Sequence, residues 1–289
     1  MTFNPNARFD PSAVTDVRGR SMGRGGGLAI GGGGLGLVIA LLYVLLGGNP
    51  GDLISTGGSG SAPDINGPNS SALAECTSGT AGNTREDCQI VGYVNSIETF
   101  WGTQVQGYQH AETVLFTGGV STGCGEATSS TGPFYCPVDK NVYLDLDFFQ
   151  ELQDRFGAKD APFARAYVLA HEYGHHVQDL VGDLGSGSGE EGSTGRSVRT
   201  ELQADCYAGV WAENAVSTGF LQALTQDDIA AADAAAAAVG DDRIQAASGG
   251  GVDPDSFTHG TSEQRVRWFT NGYETGNPGS CDTFNAQQL

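Results

Sequence analysis

Lysine is almost absent from this chain: it occurs twice in 289 residues, and Lys and Arg together number 14 against 34 Asp and Glu. The formal charge of −20 argues against nucleic acid as a partner, because a phosphate backbone would be repelled. Cysteine is missing from the first 75 residues, and no C-x-x-C spacing occurs anywhere. A structural zinc knuckle built on thiolates is therefore not expected. There is no internal repeat, and no A-x-A-like cleavage site follows the one long apolar run. Nothing legible marks a specificity pocket, an inhibitory pro-segment or an oligomeric state.

The six cysteines stand at 76, 88, 124, 136, 206 and 281. An even count confined to the region after an apolar segment reads as three disulfides in an oxidising compartment. Of the fifteen pairings, one closes two short local loops, Cys76–Cys88 and Cys124–Cys136. It leaves Cys206–Cys281 to tie the middle of the chain to its end.

Four segments follow from composition. Residues 1–27 are polar and Gly-rich, with Arg8, Arg18, Arg20 and Arg24, and read as a disordered tail. Residues 28–46 are nineteen positions without a charge, about 28 Å of helix at 1.5 Å per residue, enough for a bilayer core. The arginines precede this run and no basic residue follows until Arg85. The positive-inside rule then places the N-terminus in the cytoplasm and the rest outside, on a retained single-pass anchor, with a cleaved signal peptide as the alternative. Residues 47–75, rich in Gly, Ser, Asn and Pro, read as a flexible linker. Residues 76–289 are expected to form the folded, extracytoplasmic domain.

Within that domain the patterns alternate. Thr84 with Asp87 resembles a capping box for an amphipathic helix through Ile90, Val94, Ile97 and Trp101. Residues 113–120 and 141–145 read as strands, with Phe134-Tyr135-Cys136 between them. A strand of this kind at a sheet edge can pair with an extended peptide. Helices are expected over 147–156, 198–217 and from Thr225 to 239, and a last one from Thr261.

The chemistry concentrates in His171-Glu172-Tyr173-Gly174-His175. Its pattern is H-E-x-x-H, and residues four apart on a helix share a face. Asp160 as N-cap, Pro162 in the first turn, a stripe of Phe163, Ala166, Tyr167, Ala170, Gly174 and Val177, and Gly182 as terminator all predict that helix. Two imidazoles on one face suit one zinc ion, and Glu172 beside them suits a general base. A catalytic zinc takes a third protein ligand. Glu201 and Asp205, four apart on the next helix, are the candidates: Glu201 on zinc, Asp205 accepting the outer N–H of a ligand histidine. His259, on a loop before a helix, is the candidate donor to the transition state. Arg265 reads equally as the partner of an acid near the site or as solvated. His176, turned about 100° from His175, is expected behind the ligands or lining the cleft, and His110 exposed.

HEYGHHVQ, then ELQADCYAGVWA, then HGTSEQRV resemble the putative neutral zinc metallopeptidase family of bacteria, over roughly residues 76–285. They also resemble the wider gluzincin pattern, whose third ligand is a Glu on the following helix. The resemblance implies one zinc on His171, His175 and Glu201, with Glu172 as base. This chain departs from the pattern in the Gly/Ser-rich insertion at 182–197, on the rim of the expected cleft. The expectation is an α+β, mainly α, zincin-like domain with a small sheet beside the H-E-x-x-H helix, preceded by one transmembrane helix. Its function is expected to be that of a zinc endopeptidase acting on protein or peptide. A catalytically silent, membrane-anchored zinc-binding domain is the alternative. Glu172 argues against it, because a structural site needs no base and closes its fourth position.

Overall fold

The computed structural model describes residues 2–19, 72–156, 162–185, 190–247 and 251–289. The expected membrane span at 28–46, most of the linker and the Asp160 cap lie outside these residues.

A four-stranded sheet in the order β1-β2-β6-β5 forms the platform. Its members are β1 (Val14–Asp16), β2 (Glu112–Phe116), β5 (Phe134–Cys136) and β6 (Asn141–Asp145). β1, β2 and β6 run parallel, and β5 pairs antiparallel to β6. β2 and β6 are buried almost throughout, as expected of strands covered on both faces. The two strands read from sequence are therefore interior, and β5 and β1 are the edges. On one face Leu115, Tyr135, Val142 and Leu144 join the main helical core. On the other, Val114, Phe116 and Tyr143 pack against Val120 and Ala127 of the hairpin β3 (Gly119–Thr122) and β4 (Gly125–Thr128). The Cys124–Cys136 disulfide ties this hairpin to β5. The other two bridges are Cys76–Cys88 and Cys206–Cys281, so all three expected pairings form.

The helices are α1 (Gly79–Gly82), α2 (Glu86–Gln104), α3 (Asp147–Phe156), α4 (Pro162–Val181), α5 (Arg196–Asn214), α6 (Gln226–Ala238), α7 (Asp241–Ala247) and α8 (Ser262–Thr275). Thr84 does not cap α2. Its hydroxyl donates back to the carbonyls of Thr80 and Ala81 and closes α1 instead. Thr225 with Asp228 and Thr261 with Gln264 do form capping boxes, and Gly182 ends α4 at φ +87. The glycine relieves the Cβ clash that this conformation imposes on other residues.

Residues 2–18 are not a disordered tail, and the folded unit does not begin at Cys76. Phe3 and Phe9 are buried against Tyr93 and Phe220. They fit because Gly82 and Gly92 lack side chains: a Cβ on Gly92 would stand 2.5 Å from Phe3 and 2.6 Å from Phe9. Asn83 brackets the backbone of Phe3, accepting from its N–H and donating to its carbonyl. Asn95 does the same at Asp10. β1 then completes the sheet. This explains why α2 is buried nearly all round rather than on one stripe. The expected localisation is overturned with the tail. Residues 2–18 pack against β2, α2 and Phe220, so they cannot lie across a membrane from those elements. Among the described residues no helix is long and apolar enough to cross one. The charge pattern alone could not reveal this, because it reports flanking arginines and not packing.

Candidate metal centre

Two helix crossings build the site. α4 carries His171, Glu172 and His175, and α5 carries Glu201 and Asp205. They approach where Gly174 lies on Ala204: a Cβ there would stand 2.9 Å from the Ala204 carbonyl oxygen. α5 crosses α8 more closely still. A Cβ on Gly209 would meet the Phe269 oxygen at 2.0 Å, and one on Gly272 the Cys206 oxygen at 2.0 Å. That reciprocal glycine contact brings Arg265 of α8 to Asp205.

The first crossing converges three donors. His171 Nε2 lies 3.2 Å from Glu201 Oε2, and His175 Nε2 lies 3.4 Å from Glu201 Oε1. One ligand atom from each of the three residues falls within 4.8 Å of the others. Each imidazole has its other nitrogen engaged. His171 Nδ1–H donates to Asp205 Oδ1 at 2.8 Å, and His175 Nδ1–H donates to Gln178 Oε1 at 2.8 Å. Both Nε2 atoms therefore face Glu201, the position from which each would offer its lone pair to a bound cation. Two imidazole nitrogens and a carboxylate are donor types that zinc takes, and the residues fit that ion.

The electrostatics agree. Burial disfavours the charged form of His171, but Asp205 and Glu201 outweigh it and push its pKa up to about 10. Burial would raise Glu201, yet the charges of His175 and His259 hold it well below the usual carboxylate range. Burial would also raise Asp205, and Arg265 and His171 pull it down to about 2. Without metal, the cluster holds cationic imidazole in the place a divalent cation would take. Glu172, 8% exposed, has no hydrogen-bond or ion-pair partner among the described residues, so its carboxylate is free for a water.

His259 joins this cluster electrostatically. Burial opposes its protonation, and Glu201 and Asp241 raise its pKa nonetheless. Its loop wraps around a residue that sequence reasoning missed: Asp241 Oδ2 accepts the backbone N–H groups of Thr258, His259 and Gly260 at 2.7–2.9 Å. Asp241 Oδ1 lies 3.5 Å from His259 Nδ1. The signal was faint, an Asp opening a short helix after Gly240. Gln178 was also missed, although its i+3 spacing from His175 sets it one turn further along the same helix.

Other expectations resolve here. Arg265 is buried and paired with Asp205, not solvated. His176 neither lines the cleft nor touches the ligands. It is fully buried on the far side of α4, with Nε2 donating to the Gln109 carbonyl at 2.6 Å and Nδ1 3.1 Å from the Tyr135 hydroxyl. The half-turn that separates it from His175's partners aims it at the sheet. His110 is exposed, with its ring against the buried Glu98.

Comparison with known proteins bears on this arrangement. The profile of a family described as putative neutral zinc metallopeptidase matches residues 5–284. An uncharacterized protein of Mycobacterium tuberculosis (strain H37Rv) is 52% identical over 225 residues, covering 75% of this chain and 77% of that one. The uncharacterized protein YpfJ of Escherichia coli K12 is 46% identical over 197 residues, covering 65% and 67%. No solved structure matches the chain.

Proposed function

The chain belongs to the putative neutral zinc metallopeptidase family, and from that premise we propose that it is a zinc-dependent endopeptidase acting on protein or peptide. The observation that carries the reading is the convergence of His171, His175 and Glu201 within 4.8 Å, with Glu172, which has no partner among the described residues, next to His171 on the same helix. His171, His175 and Glu201 would hold the ion. Bound there, zinc supplies Lewis acidity, lowering the pKa of a water and polarising a carbonyl.

The protein's own groups do the rest. Glu172 accepts the proton of the attacking water and passes it to the leaving amine. His259, whose pKa Glu201 and Asp241 raise against the effect of burial, donates to the developing oxyanion of the scissile carbonyl. Asp205 and Gln178 hold the two imidazoles in the tautomer whose Nε2 is free. The antiparallel edge strand β5 beside α4 supports a zincin-like reading of the domain, with extended peptide pairing along that edge.

The test is zinc content and peptide hydrolysis of the full chain, for wild type and Glu172→Gln. The full chain is required because residues 2–18 are part of the fold. One zinc in both, with cleavage by wild type alone, is the expected result. One zinc in both and no cleavage of a broad peptide library would favour a zinc-holding binding domain. No zinc in either would overturn the ligand assignment.

A further inference from the structure

Behind His175 lies a chain of two amides that ends on the Cys281 carbonyl. Gln178 is fully buried and Gln203 is 4% exposed. Gln178 Nε2 donates to the Thr200 carbonyl at 2.7 Å and to Gln203 Oε1 at 2.9 Å. Gln203 Nε2 donates to Asp183 Oδ2 and to the Cys281 carbonyl, both at 3.2 Å. Every donor and the carbonyl of each amide is engaged, so the network has no slack.

The end points decide its direction. A backbone carbonyl only accepts, so the atoms facing Thr200 and Cys281 are the NH2 groups. Gln178 must then turn its oxygen to His175. An imidazole nitrogen facing that oxygen must carry the hydrogen, which leaves the lone pair on Nε2. Cys281 is itself fixed: it is bonded to Cys206 on α5, and its segment is clamped by Thr283 Oγ1 donating to Arg199 O at 2.6 Å and by Arg199 Nη1 donating to Ala286 O at 3.0 Å.

We infer that Gln178 and Gln203 are positioning residues that set the tautomer of His175, in a relay anchored on the disulfide-tied C-terminal segment. The inference rests on the reading of His175 as a metal ligand. It assigns the C-terminal segment a part in metal affinity although none of its residues belongs to the donor set of His171, His175 and Glu201.

The experiment uses the full chain labelled with 15N-histidine, metal-free at alkaline pH, where long-range 1H–15N spectra report each ring's tautomer. Zinc affinity is measured alongside by competition with a chromogenic chelator. Wild-type His175 is expected as the Nδ1–H form. Gln178→Leu should shift it towards Nε2–H and weaken zinc binding about 10- to 100-fold. Gln203→Leu should act in the same direction with a smaller change. Gln178→Glu, which keeps an acceptor for Nδ1–H but loses both donors, should retain the tautomer at a cost in stability, a separation that a merely space-filling role would not produce. Tyr135→Phe, on the opposite side of α4, should leave the tautomer and the affinity unchanged. An Nε2–H form in wild type would overturn the relay, as would an unchanged tautomer and affinity in a folded Gln178→Leu. If that variant fails to fold, the wild-type spectrum decides alone. Wild type that binds no zinc yet shows Nδ1–H would refute the metal reading and leave the relay standing.

Discussion

Arg265 grips Asp205 as a fork: Nε donates to Oδ2 at 2.8 Å and Nη2 to Oδ1 at 2.9 Å. Both side chains are buried, and Tyr167 adds its hydroxyl to Oδ1 at 2.5 Å. A carboxylate so held keeps its charge and its direction, and its direction sets His171.

Arg265→Leu should therefore leave an unpaired buried charge and cost about 3–5 kcal/mol. Arg265→Lys should not restore the loss, because an ammonium cannot make the two parallel bonds. Denaturant unfolding measures the first effect. A zinc affinity lowered in any folded remainder would show that the pair also serves the metal ligand, and an unchanged affinity would separate the two roles.

Acid should reveal the same pair in metal-free protein. The folded pKa of Asp205 is depressed from 3.8 to about 2. Its contribution is therefore complete above the unfolded value and is lost as pH falls from about 4 through about 2, amounting to about 2 kcal/mol. Asp205→Asn should remove that portion of the acid dependence. Unfolding free energies at pH 5, 4, 3 and 2 for the two proteins test it, and parallel curves would refute it.

The helix crossings should tolerate no added carbon. Gly209→Ala and Gly272→Ala each place a methyl 2.0 Å from a backbone oxygen. Each should destabilise by more than about 3 kcal/mol or abolish folding. Gly174→Ala meets Ala204 less severely, at 2.9 Å, and should cost about 1–3 kcal/mol. It should weaken zinc binding as well, because it parts His175 from Glu201. Circular dichroism melts with zinc titrations distinguish the cases.

The N-terminal segment should behave as part of the core. Phe3→Ala or Phe9→Ala should cost about 3–5 kcal/mol each. A specific protease site inserted between residues 20 and 71, once cut, should leave residues 2–18 bound to the remainder through gel filtration. Release of the fragment would show that the docking is too weak to count as core.

Much of the centre was legible because its determinants are local. H-E-x-x-H needs only a helix to bring His171 and His175 to one face, and a stripe of small residues, Pro162 and Gly182 announce that helix. Glu201 and Asp205 share a face for the same reason. The short disulfides belong to one of fifteen pairings open to the sequence, and the structure forms them. Arg265 could not be decided, because its partner is 60 residues away and depends on two glycines meeting across a helix pair. Asp241 and Gln178 went unread because an Asp at a helix start and a Gln on a helix have innocent local roles.

The N-terminal segment was misread for the complementary reason. Polar, Gly-rich sequence with an arginine cluster resembles a tail, and two phenylalanines among 27 residues are too few to form a core alone. They become core only because Gly82 and Gly92 leave room and two asparagines bracket the backbone.

What the sequence determined by itself was a set of groups: two imidazoles and a carboxylate on one helix, two carboxylates on the next, and six cysteines. Tertiary structure decided which groups stand behind those donors, which strands are edges, and that residues 2–18 pack on the body, where β1 completes the sheet. The division is physical. Helical periodicity acts over four residues and is written locally, whereas burial, counter-ion and tautomer depend on groups that meet only when distant segments pack.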